Sequence, residues 1–358
     1  MSAASAEEGA DRGKDRPPGL HGSTGEQPSR RVLEEEIAIL REENSKLKEK
    51  LRTAEARNLS VHANANSSRS GSFDAGVNRT SHDSEGPSFG ILSRLEIPYD
   101  SLDIREQVGG GGFSVVYRAL WMGTPVVVKK WFDPSMGEEA MQDFRAEMMT
   151  LSELRHPHIV LLLGACTRPP DLCLVLEYVP HTLHYILHKS NIVLDRKRII
   201  SLAIDLTKAM LYLHAQRPPL IHRDLKPANL LVDRQWRVKL CDFGLASTHP
   251  IKKGAGTPAY MARELLAGKP YNERVDVYSF GIVLWEMMAR EVPFDGLDYA
   301  DICKKVVEEK KRPPIPLSCS RAIANLIRDC WHDDPAERPT FNQIAVRLRE
   351  LQYEGQSM

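Results

Sequence analysis

One stretch of the chain carries residues capable of chemistry in a fixed order. "VGGGGFSVVYRALW" places four consecutive glycines, Gly109, Gly110, Gly111 and Gly112, ahead of a β-branched run. Glycine lets backbone amides approach a ligand closely, but a disordered tether uses it as well. A phosphate-cradling loop with glycines at offsets 1, 3 and 6 finds them at Gly109 and Gly111, while Ser114 stands at the third place. Lys129 closes "PVVVK", where an ammonium at a strand end either pairs phosphate oxygens or faces solvent. In "MQDFRAEMMTLSEL", Phe144, Glu147 and Leu151 fall at i, i+3 and i+7, so Glu147 shares a helix face with core residues. A carboxylate on that face needs a partner, and Lys129 is a candidate. "HRDLKPANLLVD" brings Asp224, Lys226 and Asn229 into a loop before a short apolar strand. "VKLCDFG" puts Asp242 at the end of another strand, with Gly244 to turn the chain. Singly, Asp224 and Asn229 could cap a helix, and Asp242–Gly244 could form a hairpin turn. Their conjunction in this order is not a chance arrangement.

The elements that must position these residues follow from composition and periodicity. The 358 residues carry 48 Lys+Arg and 48 Asp+Glu, so no global field attracts nucleic acid or an anionic membrane. The longest apolar stretches fall well short of the ~20 residues a membrane span needs. "MSAASAEEGADRGKDRPPG" has no apolar core of a secretory signal, and Ser2 is not the glycine that myristoylation requires, so no membrane anchor is expected. The six cysteines form no C-x-x-C pair and are not interleaved with His as zinc ligands would be; they read as reduced thiols of a cytoplasmic chain.

Residues 1–30 and 59–95 are poor in large apolars and are expected to be disordered. Between them, residues 31–58 carry Leu33, Ile37, Leu40, Asn44, Leu47, Leu51 and Ala54 at alternating steps of four and three. That is an a/d seam with a lone Asn at an a position, which predicts a short two-stranded coiled coil, hence a homodimer through 33–54. A single charged helix is the competing view. Only Arg30 and Arg31 are basic upstream, so a zipper-type DNA-binding helix is excluded. From residue 96 to 353 the chain is rich in Leu, Ile and Val. The strand-like runs "SVVYRALW", "TPVVVKKW", "IVLLLGAC" and "LCLVLEY" come first, and helical patterns dominate after 190. In "DRKRIISLAIDLTKAMLYLHAQ", Ile199, Leu202, Ala203, Leu206, Met210 and Leu213 make one apolar face. Strands first and helices afterwards predict an α+β layout.

Taken together, "VGGGGFSVV", the Lys of "VVVK", "HRDLKPAN", "DFG", "GTPAYMARE", "DVYSFG" and the late Arg338 in "DDPAERPT" resemble the protein kinase superfamily over residues 96–353. "HRDLKPAN" with "GTPAYMA" is similar to the Ser/Thr-specific pattern. "LRHPHIVLLLGACT", "LCLVLEY" and "DVYSFGIVLWEMM" resemble the tyrosine-kinase-like group, which includes Raf-type and mixed-lineage kinases. The resemblance implies a bilobal fold: a small β-rich N-terminal lobe with one key helix and a larger helical C-terminal lobe. It implies ATP and Mg²⁺, with Mn²⁺ as an alternative, and protein substrates in intracellular signalling.

By the same resemblance, backbone amides from Val108 through Gly109–Gly112 and Phe113 to Ser114 cover the ATP phosphates. Lys129, held by Glu147, contacts the α- and β-phosphates. Asp242 and Asn229 hold the metals, Asp224 orients the substrate hydroxyl and accepts its proton, Lys226 balances the transferring charge, and Thr257 bonds near Asp224. The adenine lies between Val116, Val127 and Leu231, with backbone groups of Glu177 and Val179 at its edge and Leu176 guarding the back. Cys241 is expected to pack there without chemistry. Arg223 is expected to receive a phosphate on Ser247 or Thr248 of the segment 242–264; the alternative is that these are turn residues of an already ordered loop.

Four departures stand out: Ser114 at the third glycine, Val127 where Ala is usual, Arg263 where Pro precedes Glu264, and "EYVPHTLHYILH", one residue short and lacking a Gly. Arg263 is expected to loosen the start of the substrate shelf, while Glu264 can still pair with Arg338. The rival function is a pseudokinase scaffold acting through coiled-coil dimerisation. Lys129, Asp224 and Asp242 are all present, which favours catalysis.

Overall fold

The computed structural model describes residues 94–110, 114–131, 138–248 and 256–354. The expected disordered segment 1–30, the coiled coil 31–58 and nearly all of the linker 59–95 lie outside the described residues, as do Gly111, Gly112 and Phe113.

A five-stranded antiparallel sheet opens the described part, in the order β1-β2-β3-β5-β4. Its strands are β1 (Leu102–Gly110), β2 (Ser114–Trp121), β3 (Thr124–Trp131), β4 (Leu162–Cys166) and β5 (Cys173–Glu177). Alternation along β3 decides which side chains can do chemistry. Val126 and Val128 are fully buried in a small cluster with Ile97, Leu102, Ala119, Cys173 and Val175. Successive strand residues point to opposite faces. Val127, Lys129 and Trp131 therefore look the other way, toward helix α1 (Glu138–Glu153). Trp131 meets Phe144 of α1 edge-on, with ring centroids 5.1 Å apart. Phe144, Glu147, Met148 and Leu151 form the buried side of α1. Packing of that apolar stripe against the sheet brings Glu147 over Lys129.

The larger, helical part follows. Two-residue β6 (His181–Thr182) pairs with β7 (Leu230–Val232), which pairs with β8 (Val238–Leu240). Thr182 also caps α2 (Leu183–His188), its side chain accepting from the Tyr185 N–H. Asp195 caps α3 (Arg196–His214) in the same way through the Arg198 N–H. The apolar face read along α3, from Ile199 to Leu213, is buried. Short α4 (Arg263–Leu266) precedes α5 (Arg274–Ala289), which is buried from Val275 to Met287. A helix apolar on all sides belongs inside a core. The remaining helices are α6 (Tyr299–Cys303), continued by a π-turn (Lys304–Glu308), α7 (Arg321–Cys330) and α8 (Phe341–Glu354). At Gly281 of α5 an added Cβ would come within 2.8 Å of Cys330 Cβ, so glycine sets how closely α5 and α7 approach. No described helix is long and apolar enough to cross a membrane.

Candidate active site

Two clusters of polar side chains assemble from five separate segments of the chain. In the first, Lys129 Nζ donates to both Glu147 oxygens, at 2.8 and 2.9 Å, and to Asp242 Oδ1 at 2.9 Å. Burial works against the Lys129 charge, but the attraction of Glu147 and then of Asp242 outweighs it and raises the ammonium well above its ordinary range. Burial likewise opposes the charge on Asp242, yet Lys129 dominates and lowers that carboxyl. In Glu147 burial pushes the carboxyl up against the opposing pull of Lys129.

In the second cluster Asp224 is buried and accepts from four groups. Thr257 donates to Oδ1 through its N–H at 3.0 Å and its hydroxyl at 2.8 Å. Asn229 Nδ2 donates to Oδ2 at 2.9 Å, and Lys226 Nζ lies 2.7 Å from the same oxygen. Lys226 Nζ also donates to Thr257 Oγ1 at 2.7 Å. Backbone joins the two clusters, because the Cys241 N–H donates to the Asn229 carbonyl at 3.0 Å. Arg223 and Asp242, which flank this arrangement, hold left-handed φ angles of 66° and 64°. Residues other than glycine keep that conformation only where their surroundings over-determine it, and such positions concentrate at functional sites.

Part of what over-determines it was missed in the sequence. Asp276 of α5 is fully buried; its Oδ1 accepts from the Arg223 N–H and its Oδ2 from the His222 N–H and His214 Nε2, each at 2.9 Å. Burial opposes the Asp276 charge, but the His214 hydrogen bond and charge outweigh it and lower the carboxyl. His222 Nδ1 accepts from the Asp224 N–H at 3.3 Å, so Nε2 carries the proton it gives to the Cys241 carbonyl at 3.2 Å. One imidazole therefore ties the 222–224 loop to the approach to Asp242. The signal for Asp276 was available: a carboxylate inside the apolar run "VDVYSFGIVLW" demands a buried partner, by the argument applied to Glu147.

The nucleotide-facing candidates divide. Gly109 and Gly110 lie in β1, opposite Val116 and Val115, and Ser114 opens β2. Neither glycine has a positive φ, and an added Cβ at Gly109 would meet only Val116, at 3.7 Å. Val108 is exposed. Register puts Val116 opposite Lys129 and Val127 opposite Leu176, all on the sheet face that carries Lys129. Leu176 and Val179 are buried, and Val127, Leu231 and Cys241 pack at the margin of the large core. Burial raises the Cys241 thiol, which keeps it protonated. Glu177 does more than border the cleft: its Oε1 accepts from the Leu161 N–H at 2.8 Å and from Lys239 Nζ at 2.7 Å, joining the end of β5 to β8.

Arg223 donates through Nε to the Leu245 carbonyl at 2.6 Å, makes a second contact with that oxygen through Nη2, and reaches the Tyr271 hydroxyl at 3.2 Å. Ser247 pairs with Ile221 through backbone, and Thr248 follows it as the last described residue before 249–255. Glu264 and Arg338 form a buried two-point ion pair, at 2.6 and 2.9 Å. The position expected to loosen the start of the substrate shelf carries its own tie, since Arg263 Nε donates to the Val307 carbonyl at 3.1 Å.

Both metal-facing candidates offer hard oxygen. Asp242 is engaged through Oδ1 while 43% of its side chain stays exposed. Asn229 turns its amide nitrogen to Asp224, leaving the amide oxygen as its acceptor. Carboxylate and amide oxygens would suit Mg²⁺, a hard cation that prefers oxygen ligands.

Residues 102–348 match the family model described as protein tyrosine and serine/threonine kinase. Similar proteins include a probable serine/threonine-protein kinase of Dictyostelium discoideum, 42% identical over 266 residues (73% of this chain, 29% of the relative). The probable serine/threonine-protein kinase SIS8 of Arabidopsis thaliana is 41% identical over 267 residues, covering 73% of this chain and 26% of that protein. Serine/threonine-protein kinase CTR1 of the same plant is 43% identical over 265 residues, covering 72% and 32%. The chain thus spans less than a third of the length of these relatives.

Proposed function

The chain belongs to the protein tyrosine and serine/threonine kinase family, and from that premise we propose that it transfers the γ-phosphate of ATP to Ser and Thr hydroxyls of protein substrates. The single observation that carries this reading is the backbone link between Lys129–Glu147–Asp242 and Asp224–Lys226–Asn229–Thr257. Phosphoryl transfer through a loose transition state asks the protein mainly for positioning and charge neutralisation. Both clusters are built for that and neither contains an activated nucleophile.

Lys129 is fixed as a cation by two carboxylates and offers its charge to the α- and β-phosphates. Backbone from Val108 to Ser114 covers the phosphates, Val116, Val127 and Leu231 enclose the adenine, Glu177 and Val179 present backbone to its edge, and Leu176 closes the back. Asp242 and Asn229 would hold Mg²⁺, or Mn²⁺ in its place, which would supply charge neutralisation for the phosphates. Asp224 receives the proton of the substrate hydroxyl. Its four donors hold the carboxylate in one orientation, and Lys226 stands where it can balance charge on the transferring group. Thr257 links Asp224 to Lys226, so the backbone at 257 is tied directly to the proton acceptor. The relatives' names support the Ser/Thr preference, and six free thiols fit action in the reducing cytoplasm.

Asp224→Asn tests the reading. It keeps the shape and the two Thr257 hydrogen bonds but removes the proton acceptor, so turnover with Mg²⁺–ATP on a generic Ser/Thr peptide should fall by about 10²–10⁴. Binding of a non-hydrolysable ATP analogue should not change. Equal turnover in variant and wild type would leave the pseudokinase scaffold as the better account.

A further inference from the structure

Away from the cleft, three side chains with metal-ligating atoms meet where α2 lies on α5. His184 and His188 are four residues apart on α2 and so project from one helix face. Their rings lie 4.9 Å apart, tilted by 48°. Glu286 of α5 comes up beneath them and is fully buried. Its Oε1 is 2.8 Å from His188 Nε2, and its Oε2 accepts from the Tyr260 hydroxyl at 2.8 Å. The ligand atoms of His184, His188 and Glu286 all lie within 4.8 Å of one another.

We propose that His184, His188 and Glu286 form a binding site for a borderline divalent transition ion of the Zn²⁺ type, unrelated to the Mg²⁺ of phosphoryl transfer.

Three observations support it. The donor set, two imidazole nitrogens and one carboxylate oxygen, suits Zn²⁺ and its neighbours and is a poor fit for Mg²⁺ or Ca²⁺, which prefer oxygen throughout. The His188–Glu286 separation is already close to the spacing of two donors on one tetrahedral ion; Zn–N and Zn–O bonds of about 2.0–2.2 Å need neighbouring ligands roughly 3.3 Å apart. Among the described residues His184, half-buried, makes no hydrogen bond through either ring nitrogen, which a structural His188–Glu286–Tyr260 network leaves unaccounted for.

The scaffold is also prepared. Tyr260 holds the carboxylate from its far side, the kind of outer contact that orients a metal ligand. Arg290, at the end of α5, donates to the carbonyls of Ile186 and Leu187 at 3.0 and 2.9 Å and pins α2 in place. Closing the site requires that the His188–Glu286 pair exchange its 2.8 Å hydrogen bond for the ion and that His184 bring a ring nitrogen to it. Three protein ligands leave a fourth position for water.

The experiment titrates Co²⁺, as a visible stand-in for Zn²⁺, into the full chain after chelator treatment and in excess Mg²⁺. Wild type should bind one Co²⁺ per chain with the strong visible bands of a tetrahedral nitrogen and oxygen site and without the near-ultraviolet band of a cobalt–thiolate bond. His184→Gln, which sacrifices no hydrogen bond and should melt at the wild-type temperature without metal, should weaken that binding at least about tenfold. His188→Gln should abolish the bands. Absence of tetrahedral bands, a thiolate band at the tight site, or equal Co²⁺ affinity in wild type and His184→Gln would each overturn the proposal.

Discussion

Lys129 Nζ lies 2.9 Å from Asp242 Oδ1 across 113 residues of chain. The contact joins the end of β3 in the sheet to the residue that follows β8 in the helical part, and Glu147 of α1 binds the same ammonium. Position of the key helix, closeness of the two parts and the charge state of the phosphate-facing lysine are therefore a single condition. Asp242 is held below its ordinary value of 3.8. Its share of the contact is present above that value and is lost only as pH falls through the depressed one, so the contact is intact across the neutral range.

Lys129→Met should lower turnover by about 10²–10³, the size of effect expected when one preorganised donor is removed. Because Glu147 and Asp242 then face each other without their shared cation, the variant should also lose thermal stability. Glu147→Gln keeps a donor–acceptor pair with Lys129 and should cost less than Lys129→Met in both measurements. Steady-state kinetics and calorimetry on the two variants check the order; the reverse order would mean that Glu147 does more than hold Lys129.

Arg338 is buried, with both bonds to Glu264 made away from water, and its Nε and Nη1 also donate to the carbonyls of His332 and Arg274. Glu264→Leu leaves that guanidinium without its counter-charge and should cost about 3–5 kcal/mol. Glu264→Leu with Arg338→Met removes the stranded charge and should recover much of the loss. Denaturant unfolding of the single and double variants decides it.

Phosphorylation at Ser247 or Thr248 is proposed to order the 242–264 segment through Arg223. Three Arg223 contacts already hold Leu245 and Tyr271, so a phosphate must work with the donors that remain or displace these. Ser247→Ala with Thr248→Ala should then lower the activity of autophosphorylated protein and leave unphosphorylated protein unchanged. Full activity of the double variant in both states would favour the already ordered loop.

The seam from Leu33 to Ala54 predicts a dimer in which one kinase domain phosphorylates its neighbour. Leu40→Pro breaks a helix by about 3 kcal/mol or more. It should slow autophosphorylation at low protein concentration while leaving peptide phosphorylation per chain intact. Equal autophosphorylation rates across dilution would separate the seam from catalysis.

Much of this protein was legible without coordinates. "TPVVVKKW" announced a strand that ends near Lys129 without saying which face the lysine takes, and helical spacing assigned Glu147 to the buried side of α1. The order of strands and helices and the apolar face of α3 are local features, settled by residues within a turn or two of one another. What only the tertiary structure decided is which distant groups meet. Asp276 was an acidic residue in an apolar run until α5 was placed beneath the 222–224 loop; His222 acquired a defined tautomer only between Asp224 and Cys241. Glu177 was read as a backbone contributor, yet its side chain joins β5 to β8 through Lys239, and Arg263, expected to loosen the start of the substrate shelf, reaches Val307. Periodicity tells a residue which way to face because neighbouring positions fix it, whereas a partner 50 or 100 residues away depends on how whole layers pack.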